Sequence, residues 1–417
     1  MQATSSPFRP GPLPGTVLPE YDGRGLANVV PTVERHFNVQ TDIAPLSEAI
    51  LPPHLLDGVR RVVTLLIDAL GLQQLERAMQ RGHAPYMSAL LAQDNAHLGR
   101  ITSTFPSTTV CALTTLGTGL PPGRHGVTNQ QMYDSSLGTV IDILYFSPVV
   151  AGRGLDTAGI DAGQWLGLPT VYERLGPSGI APIVVNHEQF KGTSLSRINH
   201  RGARYHGFRT ISDLAVNLRA VMESSAELAY IHAYWGTLDS ITHEYGPMSP
   251  QHDAEVRVID HALGEILLRK LRAPGTLLLL LADHGHIQSD AEHAVWLNDH
   301  PELLALLQAP PVGLDRAGVL YVRPGCEAEA LRYAEERLTP QVHVMSAEES
   351  LELGLYGPGP LPARSRQRMG QLLLLPVEDW RVKYQVPGKE RKVWNVGTHG
   401  GLTPEEMLVP LLAVRLG

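Results

Sequence analysis

The sequence predicts an α/β protein: a mostly parallel central sheet sandwiched between helical layers, with a smaller subdomain inserted late in the chain. Three observations carry that prediction. Four segments, VVTLLID (62–68), IAPIVVN (180–186), ELAYIHAYW (227–235) and TLLLLLADHG (276–285), are too continuously apolar for strands with one wet face. Such runs suit strands buried on both faces, as parallel strands are. Segments with helical spacing follow or separate them: LQQLERAMQ (72–80), ISDLAVNLRAVMES (211–224) and PQHDAEVRVIDHALGEILLRKL (250–271). From about 286 to 395 the alternation loosens, and Pro and Gly become frequent.

Taken in order, the elements justify this reading. The first two dozen residues, rich in Pro and Gly, suit an irregular arm or lid. The run at 62–68 ends in Asp68, and its helix follows at once. The stretch PSTTVCALTTLG reads as a helix opening at Pro106, because proline is favoured in a first helical turn. The strands and helices from 180 to 285 repeat the strand–helix unit. Within 286–395, VLYVRP (319–324) and VHVM (342–345) are strand-like and flank the helix-like EAEALRYAEERL (327–338). MLVPLLAVRL closes the chain as a last buried strand. The expected division is therefore residues 1–285 with 396–417 as one domain, and 286–395 as an inserted cap.

Composition narrows the function. The chain has 417 residues, 43% of them hydrophobic and 18% charged, which is enough apolar material for a sizeable core. A net charge of −8 without a Lys/Arg cluster speaks against a nucleic-acid polymer as partner. Cys111 and Cys326 lie far apart and offer no CxxC spacing, so a reduced protein is the simpler reading. The N-terminus has no apolar signal-peptide core, and no run is long enough to span a membrane. The expectation is a soluble, cytoplasmic protein; oligomeric state is not legible.

The chemistry-bearing residues gather at strand ends. Asp68 ends the first strand, Asp239 and His243 follow the third, Asp283-His284 follow the five-leucine run, and His399 precedes the last strand. Ligands bind at the carboxyl ends of strands in open α/β sheets, so these groups are expected to converge. Three Asp and three His suit a divalent ion such as zinc, and six such donors suffice for two. Each alone has a plainer reading: Asp68 as a helix cap, a DxxxH pair as chance in a chain of 18 histidines. The joint pattern is what points to metal. Residues 102–109, TSTFPSTT, supply candidate nucleophilic hydroxyls, or simply turn and cap residues.

In this ordered set the chain resembles the alkaline phosphatase superfamily, most closely its nucleotide pyrophosphatase/phosphodiesterase branch. The blocks are LLID68, Thr104-Phe105-Pro106-Ser107, TGLPPGRHGV, QMYD (131–134), DSITHEYGP (239–247), ADHG (282–285) and GTHGG (397–401). The resemblance implies the alkaline-phosphatase-like α/β/α sandwich and two Zn2+ ions. Asp239, His243 and His399 would hold one ion; Asp68, Asp283, His284 and the Thr104 hydroxyl would hold the other. Thr104 would be the nucleophile, forming a phosphothreonine, with Ser107, Thr108 and Thr109 as rivals that more simply cap and line the first helical turn. The family's phosphate-contacting Asn corresponds to Gln130, with Asn129 beside it. Phe105 and Tyr234 match the aromatics that sandwich a nucleobase, with core packing as their alternative. Tyr145, Phe146 and Trp235 are further aromatics without a family position.

The implied activity is hydrolysis of a phosphodiester or pyrophosphate bond, releasing a nucleoside 5′-monophosphate from a small-molecule substrate. A phosphonoacetate hydrolase or phosphomonoesterase is the alternative on the same scaffold. The former would need basic groups for a carboxylate, for which Arg124 and Lys191 are candidates. No CxPxR motif supports a sulfatase, and a sugar-phosphate mutase would more usually use Ser and manganese. An inactive binding module remains the reading from another class, opposed by the completeness of the ligand set.

Overall fold

The structure, a computed structural model, describes residues 7–150, 152–224, 228–313, 315–388 and 394–417. Residues 1–6 of the predicted arm and 389–393 of the predicted cap lie outside them. Seven strands form the main sheet: β1 (Arg61–Ile67), β2 (Ala96–Thr102), β3 (Ala181–His187), β4 (Arg204–Phe208), β5 (Ala229–Trp235), β6 (Thr276–Leu281) and β7 (Leu408–Leu416). Their spatial order is β2-β7-β6-β1-β5-β3-β4. β1 runs parallel to both β5 and β6, and β3 runs parallel to both β4 and β5. Only β7 is reversed, antiparallel to its neighbours β2 and β6.

Burial explains which strands are easily read. Every residue of β1, β5 and β6 is buried, which is why they appear as unbroken apolar runs. The edge strands β2 and β4 each bury only part of their length and interleave polar residues. Neither produces an apolar run, and the sequence gives no sign of them. The excursion at 131–148 is likewise unheralded: Gln131–Asp134, Thr139–Asp142 and Ser147–Pro148 form a small antiparallel sheet.

Helices cover the sheet on both faces, and the predicted helices at 72–80 and 211–224 fall at Leu72–Gln80 and Ile211–Ser224. The long helix differs: it is α-helical over Pro250–His261 and widens into π-type turns over Ala262–Leu268. The widened turn is where Tyr86 lies against Gly264; a Cβ there would come within 2.1 Å of the ring. The helix expected from Pro106 also differs. It spans Thr109–Thr118, with Thr108 in extended conformation as its N-cap.

Between β6 and β7 the chain builds a second layer of structure. Gly318–Leu320, Leu372–Pro376 and Val342–Ser346 form an antiparallel sheet against helix Glu327–Leu338. A separate apolar cluster, including Phe105, Tyr321, Met345, Tyr356 and Met407, joins this insert to the main body. A buried bidentate pair reinforces the junction: Arg316 Nε and Nη2 donate to the two Glu406 carboxylate oxygens at 3.1 Å each. Among the described residues, no helix is long and apolar enough to cross a membrane.

Candidate metal centre

Sheet register brings the acids together. β1 pairs with β6 up to Leu66↔Leu281 and with β5 up to Ile67↔Trp235. Asp68 and Asp283, each two residues past the β1–β6 pairing, therefore leave the same sheet edge side by side. The turns carrying them are packed too tightly for any side chain but glycine's: a Cβ on Gly71 would lie 2.7 Å from the Gly285 Cα. Asp239 and His243 sit one turn apart on helix Thr237–Tyr245, so both face the same way. His399 enters through a short antiparallel pairing, Ile287↔Thr398 and Gln288↔Gly397, which sets it opposite the chain that leaves the DHGH turn.

Two clusters of donor atoms result. In the first, His284 Nε2 lies 3.4 Å from Asp68 Oδ1 and 3.5 Å from Asp283 Oδ2. In the second, His243 Nε2 lies 3.4 Å and His399 Nε2 3.8 Å from Asp239 Oδ1. The structure thus assembles all six of the Asp and His residues singled out in the sequence. It adds a seventh, His286, whose Nε2 is 3.5 Å from Asp239 Oδ1. Sequence reasoning passed over His286 because DHG completed the motif; the next residue, one position past the expected domain boundary, drew no notice. The two clusters touch, since the His284 and His399 rings stack with centroids 3.6 Å apart.

Backbone carbonyls orient three of the imidazoles. The Nδ1 atoms of His243, His399 and His284 lie 2.8, 2.8 and 3.2 Å from the carbonyls of Gly397, Ser107 and Gly285. A proton on each Nδ1 leaves the Nε2 lone pair facing the cluster, the arrangement usual for ligating histidines. Burial holds the His284 imidazole down at about 3 and pushes His399 well below the usual range, so both are neutral. Burial likewise raises the Asp68 carboxyl, helped by the nearby Asp283 and Asp239 charges. Asp239 and Asp283 are raised too, again chiefly by burial.

Do these residues fit a metal? Asp68 Oδ1, Asp239 Oδ1 and Asp283 Oδ2 are buried without a hydrogen-bond partner. Orphaned buried carboxylate oxygens facing neutral imidazole lone pairs are costly unless a cation lies between them. The donor set is oxygen and nitrogen, as borderline divalent ions prefer. The residues fit.

The nucleophile expected from the family motif is not where the donors are. Thr104 is fully buried, and its hydroxyl donates to the Pro106 carbonyl at 3.3 Å. It is Thr109 that reaches the centre: Oγ1 is 3.1 Å from His284 Nε2 and 3.5 Å from Asp68 Oδ2. The cause is the late start of the helix, which makes Thr109 its first residue and points it at the sheet edge. Two of the other hydroxyls have structural tasks, while Thr108 Oγ1 is buried without a hydrogen-bond partner. Ser107 Oγ donates to the Gly401 carbonyl at 2.9 Å and accepts from Gly400 N, pinning the loop that carries His399. Ser103 donates to the Asp283 carbonyl.

The expected substrate contacts fare unevenly. Phe105 has no exposed face and packs edge-on against Tyr356, so it offers no surface to a base. Tyr234 donates its hydroxyl to Asp68 Oδ2, and its ring meets Phe190 edge-on. Asn129 donates to the Ala317 carbonyl at 3.4 Å, and Gln130 to Asp142 at 3.1 Å. Both amides are thus engaged with neighbouring protein groups. Arg124 is paired with Asp42 at 2.6 Å and Lys191 with Glu188 at 3.9 Å, so each candidate carboxylate-binding group already has an acidic partner.

The fold is of the alkaline phosphatase type. The chain belongs to the type I phosphodiesterase / nucleotide pyrophosphatase family, whose model matches residues 62–146 and 168–402. Curated relatives include an uncharacterized pyrophosphatase/phosphodiesterase of Schizosaccharomyces pombe, 23% identical over 245 residues, covering 55% of this chain and 46% of that one. Human ectonucleotide pyrophosphatase/phosphodiesterase family member 7 is 24% identical over 204 residues, covering 47% and 42%. The matched stretch is thus less than half the length of either relative. Among solved structures, murine ectonucleotide pyrophosphatase/phosphodiesterase 5, in an inactive form with AMP, superposes with a TM-score of 0.66 at 16% identity, covering 85% of this chain and 88% of that one. Phosphonoacetate hydrolase from Sinorhizobium meliloti 1021 with phosphonoformate gives 0.63 at 17%, covering 85% and 90%. At these identities the likeness to the solved structures is one of fold.

Proposed function

We propose that the protein is a two-metal phosphodiesterase or nucleotide pyrophosphatase that uses Thr109 as its nucleophile and releases a nucleoside 5′-monophosphate. The observation that carries this is the Thr109 hydroxyl, within 3.5 Å of both Asp68 and His284 at the start of a ten-residue helix. Asp68, Asp283, His284 and the Thr109 hydroxyl would hold one divalent ion, Asp239, His243 and His399 the other. Zinc suits both sets. Such ions, when bound, favour the ionised hydroxyl and offset the negative charge of the phosphoryl oxygens.

The chain's own groups do the rest. Thr109 Oγ1 gives up its proton to water and bonds to phosphorus as the bond from phosphorus to the leaving oxygen breaks, and the leaving oxygen takes a proton from water. Water then cleaves the phosphothreonine and restores the hydroxyl. The positive end of helix 109–118 faces the phosphoryl group, where free backbone N–H groups bind anions. Tyr234 holds Asp68 in place. Family membership and the fold shared with an AMP-bound relative support a nucleotide as the substrate class.

The test is a pair of variants. Thr109→Ala should lower turnover of p-nitrophenyl thymidine 5′-monophosphate by about a thousandfold or more while zinc stays bound. Thr104→Ala should retain most activity. The opposite ranking would return the nucleophile to Thr104. Faster turnover of p-nitrophenyl phosphate than of the diester would keep the metals and remove the nucleotide.

A further inference from the structure

We infer that His286 is a fourth protein ligand of the Asp239 metal site, so that this site has four unreactive donors while the other has three beside the reacting Thr109 hydroxyl. The inference rests on the two-metal reading above and adds a donor to it.

Geometry carries it. Tetrahedral zinc with bonds of about 2.0–2.1 Å separates its donors by roughly 3.3 Å along each edge. From Asp239 Oδ1, the Nε2 atoms of His243, His286 and His399 lie 3.4, 3.5 and 3.8 Å away. These are three edges of one such tetrahedron meeting at the carboxylate. The three imidazoles also surround a common point nearly evenly, with ring centroids 4.7, 4.7 and 5.1 Å apart. All four residues can each place a ligand atom within 4.8 Å of every other.

A purely structural histidine would be satisfied differently. His286 is buried, yet neither ring nitrogen has a hydrogen-bond partner, and neither does Asp239 Oδ1. Buried polar atoms left this way call for a cause such as an ion. Its backbone is held on two sides: Gln74 Nε2 donates to the His286 carbonyl at 2.9 Å, and the adjoining Ile287 pairs with Thr398. Gly397 completes the fit, since a Cβ there would lie 3.1 Å from the His286 ring and 2.2 Å from the Thr242 carbonyl. Only glycine at 397 leaves room for the ring in this position.

The consequence is a division of labour. Four unreactive donors would hold the ion at the Asp239 site more firmly, whereas the other site has three and gives its remaining position to the reacting Thr109 hydroxyl.

The experiment counts imidazole ligands. Protein loaded with two equivalents of cobalt(II) shows one hyperfine-shifted, exchangeable imidazole N–H proton signal for each ligating histidine. The full chain should show four, from His243, His284, His286 and His399, and His286→Ala should show three. His286→Gln, closer in volume, should also show three, and an unchanged melting curve without metal identifies whichever variant is folded. Three signals in the unsubstituted protein, unchanged by either substitution, would overturn the inference while keeping the two-metal reading. No shifted signals in the unsubstituted protein would overturn both.

Discussion

Asp68 shows how much one side chain is asked to do. Its Oδ2 accepts the Tyr234 hydroxyl and lies 3.5 Å from Thr109, while its Oδ1 is buried without a hydrogen-bond partner, facing His284. The Tyr234 hydrogen bond favours the ionised carboxylate against burial and the Asp283 charge. Tyr234→Phe removes that support and nothing else, because the ring remains. We expect zinc affinity at the Asp68 site to fall about 10–100-fold, as it does when a ligating carboxylate loses an outer partner, with the far-UV spectrum unchanged. If Tyr234 instead serves as a base platform, the Phe variant will bind zinc and nucleotide alike as before. Six of the seven Asp and His donors were legible because they fall at the ends of apolar runs or in spaced pairs. Choosing among the hydroxyls was not: Thr104 and Thr109 lie five residues apart in one polar stretch, and only the helix start separates them.

That helix start belongs to the next scale. Pro106 is a sound helix-opening signal, but an extended Thr108 delays the first turn to Thr109. The delay leaves residues 106–108 outside the helix and makes Thr109 its first residue, with its hydroxyl against Asp68 and His284. Fully buried strands declared themselves; half-buried edge strands such as Ala96–Thr102 and Arg204–Phe208 did not, since their burial neither runs unbroken nor alternates cleanly. Turns at the strand ends carry the tightest constraints. A Cβ on Gly285 would fall 2.1 Å from the Glu405 carbonyl oxygen, a backbone atom that cannot simply rotate aside. Gly285→Ala must therefore displace the turn holding Asp283, His284 and His286. We expect about 1–3 kcal/mol lost from overpacking and weaker binding at both metal sites, read by calorimetric zinc titration. Retention of both affinities with only the stability loss would show that the strain is absorbed on the Glu405 side.

At the scale of the whole molecule, the centre sets a conflict between folding and charge that a bound metal would resolve. Burial, the largest cause in each case, raises the carboxyls of Asp68, Asp239 and Asp283 above their unfolded values. The sign follows from linkage. A carboxyl raised on folding adds stability below its unfolded value of about 3.9, and that contribution is lost as pH rises through the folded value. Without metal, these three acids therefore weigh against the fold increasingly from about pH 4 toward neutrality. His284, pushed down to about 3 by burial, runs the other way: its contribution is complete above the ordinary imidazole range and is lost as pH falls. Metal needs ionised carboxylates and neutral imidazoles together, so both trends give the same direction for the bound ion. The difference in Tm between zinc-loaded and EDTA-treated protein should be largest near about pH 8 and shrink steadily toward about pH 5. At a thousandfold excess over Kd, one ion is worth on the order of 4 kcal/mol, several degrees in Tm. A Tm indifferent to chelation at about pH 8, or a gap that widens toward acid, would mean that the seven converging donors do not act as metal ligands. The buried carboxylates would then have to be carried protonated, and their contribution to stability would be largest in acid with or without zinc.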